Sequence, residues 1–256
     1  MKSLLAEDRI LSIDIGGSNI KATILDWQGN LLNEYKKLPT PLPAAPERVI
    51  GTIQELVKDF PDFNKVSVGF PGYVRNGRVF TAPNLDTSLW RNVCLQEQLK
   101  DALNKPVRLV NDADLQGLGV VSGQGLEMVI TLGTGFGTAL LLHGNLLPHL
   151  ELAHHPVSAR KTYDQYVGEK AFRKHGEEKW NQRMERVLGI LKAVFNYDHL
   201  YISGGNASKI RFKLDENITI VSNRDGIKGG ARLWLQGDHH FSATCESAFN
   251  SVLSQE

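Results

Sequence analysis

The strongest constraint on this chain is a local pattern that occurs twice. Ile10–Ile15 (ILSIDI) is a β-rich run that stops at Gly16-Gly17-Ser18 and resumes at once as Ile20–Leu25 (IKATIL), before a second turn at Asp26–Asn30. Met128–Leu132 (MVITL) stops at Gly133-Thr134-Gly135-Phe136-Gly137 and resumes as Thr138–Leu142 (TALLL). Strand, glycine turn, strand is the signature of a hairpin. Two matched hairpins far apart in one chain indicate an internal duplication and divide the 256 residues into two lobes, 1–112 and 113–256.

Strands and helices alternate between and after the hairpins, which predicts an α/β architecture. Pro39–Pro46 (PTPLPAAP) is an extended connection, because so many prolines fit neither a helix interior nor a central strand. Glu47–Phe60 has helical spacing, with Val49, Ile53, Leu56, Val57 and Phe60 on one face. Lys65–Phe70 reads as a strand ending in Pro71-Gly72, Val93–Leu103 as a short helix, and Pro106–Val110 as a strand running into Asn111-Asp112. Helices are expected at Asp114–Ser122, Tyr163–Lys174 and Glu178–Phe195, strands at Leu200–Ser203 and Ile218–Ser222, and a last helix from Asp225 to Leu235. The final stretch, 237–256, has no firm pattern.

Composition excludes several classes. Apolar residues make up 41% of the chain besides its 24 glycines, enough for a substantial core. The 29 Lys+Arg against 28 Asp+Glu leave a net charge of +1, without the basic excess of a duplex-binding protein, so no nucleic-acid partner is expected. Cys94 and Cys245 form no Cys-x-x-Cys pair, so neither a disulfide framework nor a cysteine zinc site is expected. The start of the chain (MKSLLAEDR) lacks the apolar run of a signal peptide, and no stretch is apolar enough to span a bilayer. A soluble cytoplasmic protein with no membrane partner is the expectation.

Glycine turns often serve backbone geometry alone. Two of them in matched hairpins, each with a hydroxyl residue (Ser18, Thr134), also offer unobstructed backbone N–H groups to phosphate oxygens. The alternatives fail: there is no G-x-x-x-x-G-K-[ST], and Gly133–Gly137 lacks Rossmann spacing and leads into a strand.

Ile13-Asp14-Ile15-Gly16-Gly17-Ser18-Asn19-Ile20-Lys21 resembles the first phosphate motif of the actin/hexokinase-type ATPase superfamily, in the form found in the ROK family (repressors, open reading frames, sugar kinases). Leu132–Gly137 resembles the second phosphate motif and Ile202-Ser203-Gly204-Gly205-Asn206 the adenosine motif, in family order. Pro39-Thr40-Pro41, Thr81–Asp86 (TAPNLD) and Val110–Asp114 (VNDAD) are similar to the branch containing polyphosphate glucokinases and glucomannokinases. The resemblance implies a two-lobed actin-like ATPase (ribonuclease H-like) fold with a central cleft, and a kinase acting on a hexose such as glucose or mannose.

It also implies roles. Asp112 becomes the base that takes the sugar hydroxyl proton, although the residue alone also reads as an Asx cap on the next helix; Asp114 keeps a capping role. Asn84, Asn111, Glu151 and His154 become sugar contacts, with Asp164 a further candidate or simply a solvated helix residue. Ala153 stands where the family has glycine between Glu151 and His154, and the cysteine-rich zinc motif of many members is absent from His155–Asp164. A Glu-x-x-His pair on a helix could also ligate a metal, but its partner motif is missing. Gly16, Gly17, Ser18, Gly133, Thr134 and Gly135 become the phosphate grip, and Lys21 a structural or phosphate-facing charge. Gly204, Gly205 and Asn206 become nucleotide contacts. Asp14 would help hold Mg²⁺ on the phosphate chain.

The donor implied is inorganic polyphosphate, ATP, or both. Arg160–Arg186, with eight Lys/Arg against five Asp/Glu, offers a local basic surface for a polyanion, although a mixed-charge solvated helix looks the same. A homodimer follows by family analogy. Three rivals stand: an ATP-dependent kinase for another hexose such as N-acetylmannosamine, a non-catalytic sugar-binding protein, and a transcriptional repressor. The last would require a DNA-binding helix-turn-helix before the first strand, where nine residues stand.

Overall fold

The computed structural model describes residues 6–222 and 226–237. The unpatterned stretch from 238 onward and the expected helix start at Asp225 lie outside them. The chain forms two compact units: residues up to Gly119 together with those from Ile227, and Val120–Gly226.

The first unit is built on a five-stranded sheet. Strands β1 (Ile10–Ile15), β2 (Asn19–Leu25) and β3 (Lys36–Pro39) form an antiparallel meander, and β4 (Lys65–Phe70) joins β1 in parallel. A short hairpin, β5 (Val74–Arg75) with β6 (Arg78–Val79), follows β4. Strand β7 (Val107–Asn111) then adds to β4, giving the order β3-β2-β1-β4-β7. Helix α1 (Pro46–Val57) starts with Pro46 in its first turn, where no donor is lost, and buries Val49, Ile53, Leu56 and Val57. One helical turn, α2 (Thr87–Trp90), precedes α3 (Leu95–Leu103). The fully buried Trp90 donates its indole N–H to Ala44 O (2.8 Å) and packs on Phe70 (4.8 Å between centroids), anchoring the TAPNLD loop. Helix α4 (Asp112–Val120) follows β7 without a gap. The other sheet face is covered by a short helix, Gly229–Arg232, with the 3₁₀ turn Leu233–Leu235.

The second unit repeats the plan. Strands β8 (Leu126–Leu132), β9 (Phe136–Leu142) and β10 (Asn145–Leu146) form the meander. A small hairpin, β11 (Pro156–Ser158) with β12 (Lys161–Thr162), leads into α5 (Tyr163–Val167) and α6 (Glu169–Phe195). Strand β13 (His199–Ser203) lies parallel to β8, and β14 (Ile218–Ile220) parallel to β13, giving β10-β9-β8-β13-β14. Its core is separate, with Trp180, Val187 and Leu191 of α6 packed on Ile130, Phe136 and Ile202.

Three differences from the sequence reading have physical causes. The units divide after Gly119 rather than after Asp112, because α4 and the 229–236 segment belong with the first sheet. The helix expected at Asp114 opens at Asp112, and Asn111 caps it: its Oδ1 accepts the Ala113 N–H (2.7 Å), while Asp114 is buried in the first turn. The helix expected over Tyr163–Lys174 breaks at Gly168, and the next departs from helical geometry at Gly176 (φ 77°). Cys94 is disulfide-bonded, against the expectation drawn from sequence spacing; the other cysteine, Cys245, lies outside the described residues. No helix among the described residues is long and apolar enough to cross a membrane.

Candidate active site

In the first unit, β1, β4 and β7 run parallel and share a register row, Asp14 beside Gly69 and Gly69 beside Val110. Asp14, the Gly16–Ser18 turn and the Asn111-Asp112 pair therefore stand at the carboxyl ends of neighbouring strands, where ligands of α/β sheets gather. The turn is closed by the Gly16 N–H on Asn19 O (3.0 Å). Gly17 lies against Asn84: a Cβ there would stand 3.1 Å from Asn84 Cβ, so any larger residue would push the TAPNLD loop back by a few tenths of an ångström. The structure thus brings Asn84, Gly17 and Ser18 together, all three exposed.

Asp14 and Lys21 face one another across β1 and β2, with Lys21 Nζ 3.2 Å from Asp14 Oδ2. Burial, and then the negative charge of Asp14, holds the Tyr35 phenol above its ordinary range. The Asp14 side chain is 29% exposed beside the phosphate turn. One such carboxylate suits Mg²⁺, which keeps most of its ligands as water and phosphate oxygens. Among the described residues no group of three or more His, Cys, Asp or Glu side chains is arranged to hold a metal on its own.

Asn111, expected from sequence to contact the sugar, is placed at the end of β7, next to α4. It is 7% exposed, its Nδ2 donates to Gly72 O (3.1 Å) and Phe70 O (3.5 Å), and its Oδ1 caps α4. The side chain ties the Phe70–Gly72 loop to the start of α4. Asp112 is the first residue of that helix, half-buried, with Oδ1 accepting its neighbour's N–H at Ala113 (2.9 Å). The TAPNLD loop is fixed by Asp86, whose carboxyl the Ser88 hydroxyl and then the Ser88 N–H hold below its ordinary range.

In the second unit the Gly133–Gly135 turn is knit to the adenosine-type motif. The Asn206 N–H bonds to Leu132 O (2.9 Å), and its Nδ2 reaches Gly133 O (3.4 Å) and Glu169 Oε2 (2.8 Å). Gly204 has φ +94°, and a Cβ on it would overlap the Leu132 carbonyl. The Glu169 N–H at the start of α6 bonds to Gly133 O (3.2 Å). Thr134 is exposed at the tip. Asp164, in the first turn of α5, is partly exposed, and its Oδ1 accepts the Phe136 N–H (2.7 Å) and holds this turn.

Glu151 precedes the 3₁₀ turn Leu152–His154, with its carboxylate 3.7 Å from both His149 Nε2 and His154 Nε2. Its Oε1 is buried and has no hydrogen-bond partner among the described residues. Buried polar atoms are seldom left so, which makes it a natural acceptor for a ligand hydroxyl. In the basic stretch, Arg173 pairs with Glu169 (2.8 Å) and Arg183 stacks on Tyr166. Desolvation, then the charges of Arg183, Lys161, Lys174 and Lys179, holds His175 below its ordinary range.

Two contributors escape a sequence reading. Thr40 bonds the first turn twice, through Oγ1 to Gly16 O (2.6 Å) and through its N–H to Ser18 O (3.0 Å). Glu169 links Asn206, Arg173 and Lys209 behind the second turn. The signal for Thr40 is the Pro39-Thr40-Pro41 motif, which carries no role by itself, and Glu169 looks like any surface helix acid.

The family model described as "ROK family" matches residues 10–150. A polyphosphate glucokinase of Mycobacterium leprae (strain TN) is 35% identical over 225 residues, spanning 84% of this chain and 68% of the relative. Among solved structures, the inorganic polyphosphate/ATP-glucomannokinase from Arthrobacter sp. strain KM is 30% identical with a TM-score of 0.79, covering 90% of this chain and 99% of that one. A ROK family glucokinase from Streptomyces griseus, solved with glucose and AMPPNP, shares the fold at 20% identity, with a TM-score of 0.71 over 88% of this chain and 98% of that one. Two β-meander-plus-parallel sheets, two glycine turns in order and this similarity agree: the chain has the actin-like ATPase α/β fold and belongs to the ROK family.

Proposed function

We propose that this chain is a hexose kinase that transfers a phosphoryl group to the 6-hydroxyl of glucose, and of mannose, with inorganic polyphosphate as preferred donor and ATP as the second. The observation that carries the reading is the meeting, at one end of the first sheet, of an open glycine turn, an acceptor-lined loop at Asn84 and two carboxylates, Asp14 and Asp112. Phosphoryl transfer asks for little else from a protein: positioned oxygens, neutralised charge and a base.

Asp112 takes the proton of the sugar hydroxyl as its oxygen forms a bond to phosphorus and the donor's bridging oxygen leaves. The Gly16–Ser18 and Gly133–Gly135 turns bind phosphate oxygens through backbone N–H groups, and Lys21 adds charge. When bound, Mg²⁺ held on the donor by Asp14 supplies further charge neutralisation. Asn84, Glu151 and His154 receive sugar hydroxyls. Asn111 and Asp164 serve by holding the Phe70–Gly72 loop and the second turn. Gly204, Gly205 and Asn206 accommodate the nucleotide, and the excess of Lys and Arg over Arg160–Arg186 favours a longer polyanion.

The test is a hexose-6-phosphate assay with glucose, mannose and N-acetylmannosamine, each with polyphosphate and with ATP. Turnover of glucose with polyphosphate is expected to exceed that with ATP. ATP-only turnover overturns the donor order, turnover of N-acetylmannosamine alone moves the acceptor, and silence with every pair favours a sugar-binding protein without catalysis. A homodimer, checked by sedimentation, is part of the proposal. So is a cytoplasmic location, against which the Cys94 disulfide stands; fractionation with thiol labelling of Cys94 decides it.

A further inference from the structure

We propose that Thr40 is a positioning residue for the phosphoryl donor, acting by aiming the amides of the first phosphate turn. The proposal rests on the kinase reading. Thr40 is 7% exposed and makes two hydrogen bonds to the turn, Oγ1 to Gly16 O at 2.6 Å and its N–H to Ser18 O at 3.0 Å. A trans peptide is planar, with C=O and the following N–H pointing in opposite directions. Fixing Gly16 O and Ser18 O on Thr40 therefore directs the Gly17 and Asn19 N–H groups away from it, toward the opposite side of the turn.

A turn rich in glycine does not hold this orientation by itself, because Gly16 and Gly17 have more backbone freedom than other residues. Thr40 is well placed to supply the constraint. Pro39 fixes its own φ at the end of β3, and Pro41 restricts Thr40 to extended backbone. The Pro-Thr-Pro segment is a stiff mount that presents one hydroxyl and one N–H to both carbonyls of the turn. Preorganised donors bind an anion without paying an ordering cost at the moment of binding.

Thr40→Val removes the hydroxyl but keeps the branched shape and the backbone N–H, and Thr40→Ser restores the hydroxyl. With the full chain, steady-state constants for glucose and polyphosphate are measured alongside the Kd of inorganic tripolyphosphate by calorimetry without sugar. Thr40→Val is expected to raise the donor KM and the tripolyphosphate Kd about tenfold, the size of one lost hydrogen bond to a functional loop. The glucose KM should stay within about twofold, and Thr40→Ser should return the donor constants to near wild type. Unchanged donor constants in Thr40→Val, or equal losses for donor and glucose, overturn the proposal. Should Thr40→Val not fold, amide NMR of the wild type with tripolyphosphate decides: shifts at Gly17 and Asn19 support it, and their absence overturns it. A wild type that binds tripolyphosphate through these amides yet phosphorylates no hexose sinks the kinase reading and leaves Thr40 standing.

Discussion

A residue's chemistry is readable from sequence long before its partner is. Asp112 is the clearest case: a carboxylate at the end of a buried strand, where it is also the first residue of α4. Asp112→Asn is isosteric and keeps an oxygen for the Ala113 N–H, so the variant should bind glucose normally while kcat falls at least about a hundredfold. Isothermal titration beside single-turnover kinetics checks it, and near-normal turnover would remove Asp112 from its role. Asn111 and Asp164 are equally visible as residue types, but their partners, Gly72 O and the Phe136 N–H, are set by packing between distant segments. Glu127 was not legible at all. It sits on β8 with 0% exposure and accepts from Ser122 N–H and Oγ–H, Gly123 N–H, Gln124 N–H and Tyr201 O–H. Glu127→Gln replaces an acceptor by a donor amid donors, and should cost about 3 kcal/mol in a urea titration. A loss below about 1 kcal/mol would show the loop after α4 does not depend on it.

At the scale of elements, the paired hairpins are legible because glycine breaks and β-branched runs coincide. Strand β3 is not, since KKLP is nearly all exposed and is held by backbone pairing to β2 at the sheet edge, where proline is tolerated. The break at Gly168 is equally hidden, because it exists to seat α6 on the second turn through the Glu169 N–H. Gly204 shows what such seating requires. Its positive φ and the Leu132 carbonyl beside it leave no place for a Cβ, so Gly204→Ala should lower stability by more than the roughly 1 kcal/mol of an ordinary glycine replacement. Thermal melts beside Gly205→Ala provide the control, since a Cβ at Gly205 meets nothing within 4 Å. Glu169 adds a pH signature. Hydrogen bonds from Arg173 and then Asn206 hold its carboxyl below the ordinary range, so its contribution is present above the unfolded-state value of about 4.3 and is lost as pH falls through the folded value. The melting temperature of Glu169→Gln should therefore lie below wild type at pH 7 and converge with it near pH 3; a constant gap would assign the effect to something other than ionisation.

For the whole molecule, the duplication visible in two hairpins extends to two complete sheets with the same strand plan, but the units are not equivalent in chain terms. Val120–Gly226 is continuous, with its own sheet and its own core. The first unit is discontinuous, and its late segment supplies groups that the early one requires. The buried Arg108 donates to Leu233 O (2.6 Å) and Gln236 O (3.0 Å), Ser67 Oγ donates to Gly230 O (2.6 Å), and Trp234 Nε1 donates to Ser67 Oγ (3.0 Å). Ala231 also covers Ile10 and Leu25. A four-residue helix rich in glycine carries no periodicity, so nothing in the sequence announces this role, and the division read from sequence assigned the segment to the second lobe. Without it, Arg108 loses two carbonyl acceptors, Ser67 loses one, and an apolar face meets water, a loss of a few kcal/mol against a domain stability of roughly 5–15 kcal/mol. A fragment of residues 120–226 should therefore show dispersed amide NMR signals and a cooperative melt. A fragment ending at residue 119 should show neither until residues 227–256 are joined to it through a short linker. A well-folded 1–119 fragment would mean that the late segment only decorates the sheet, and that the first unit is as self-sufficient as the second.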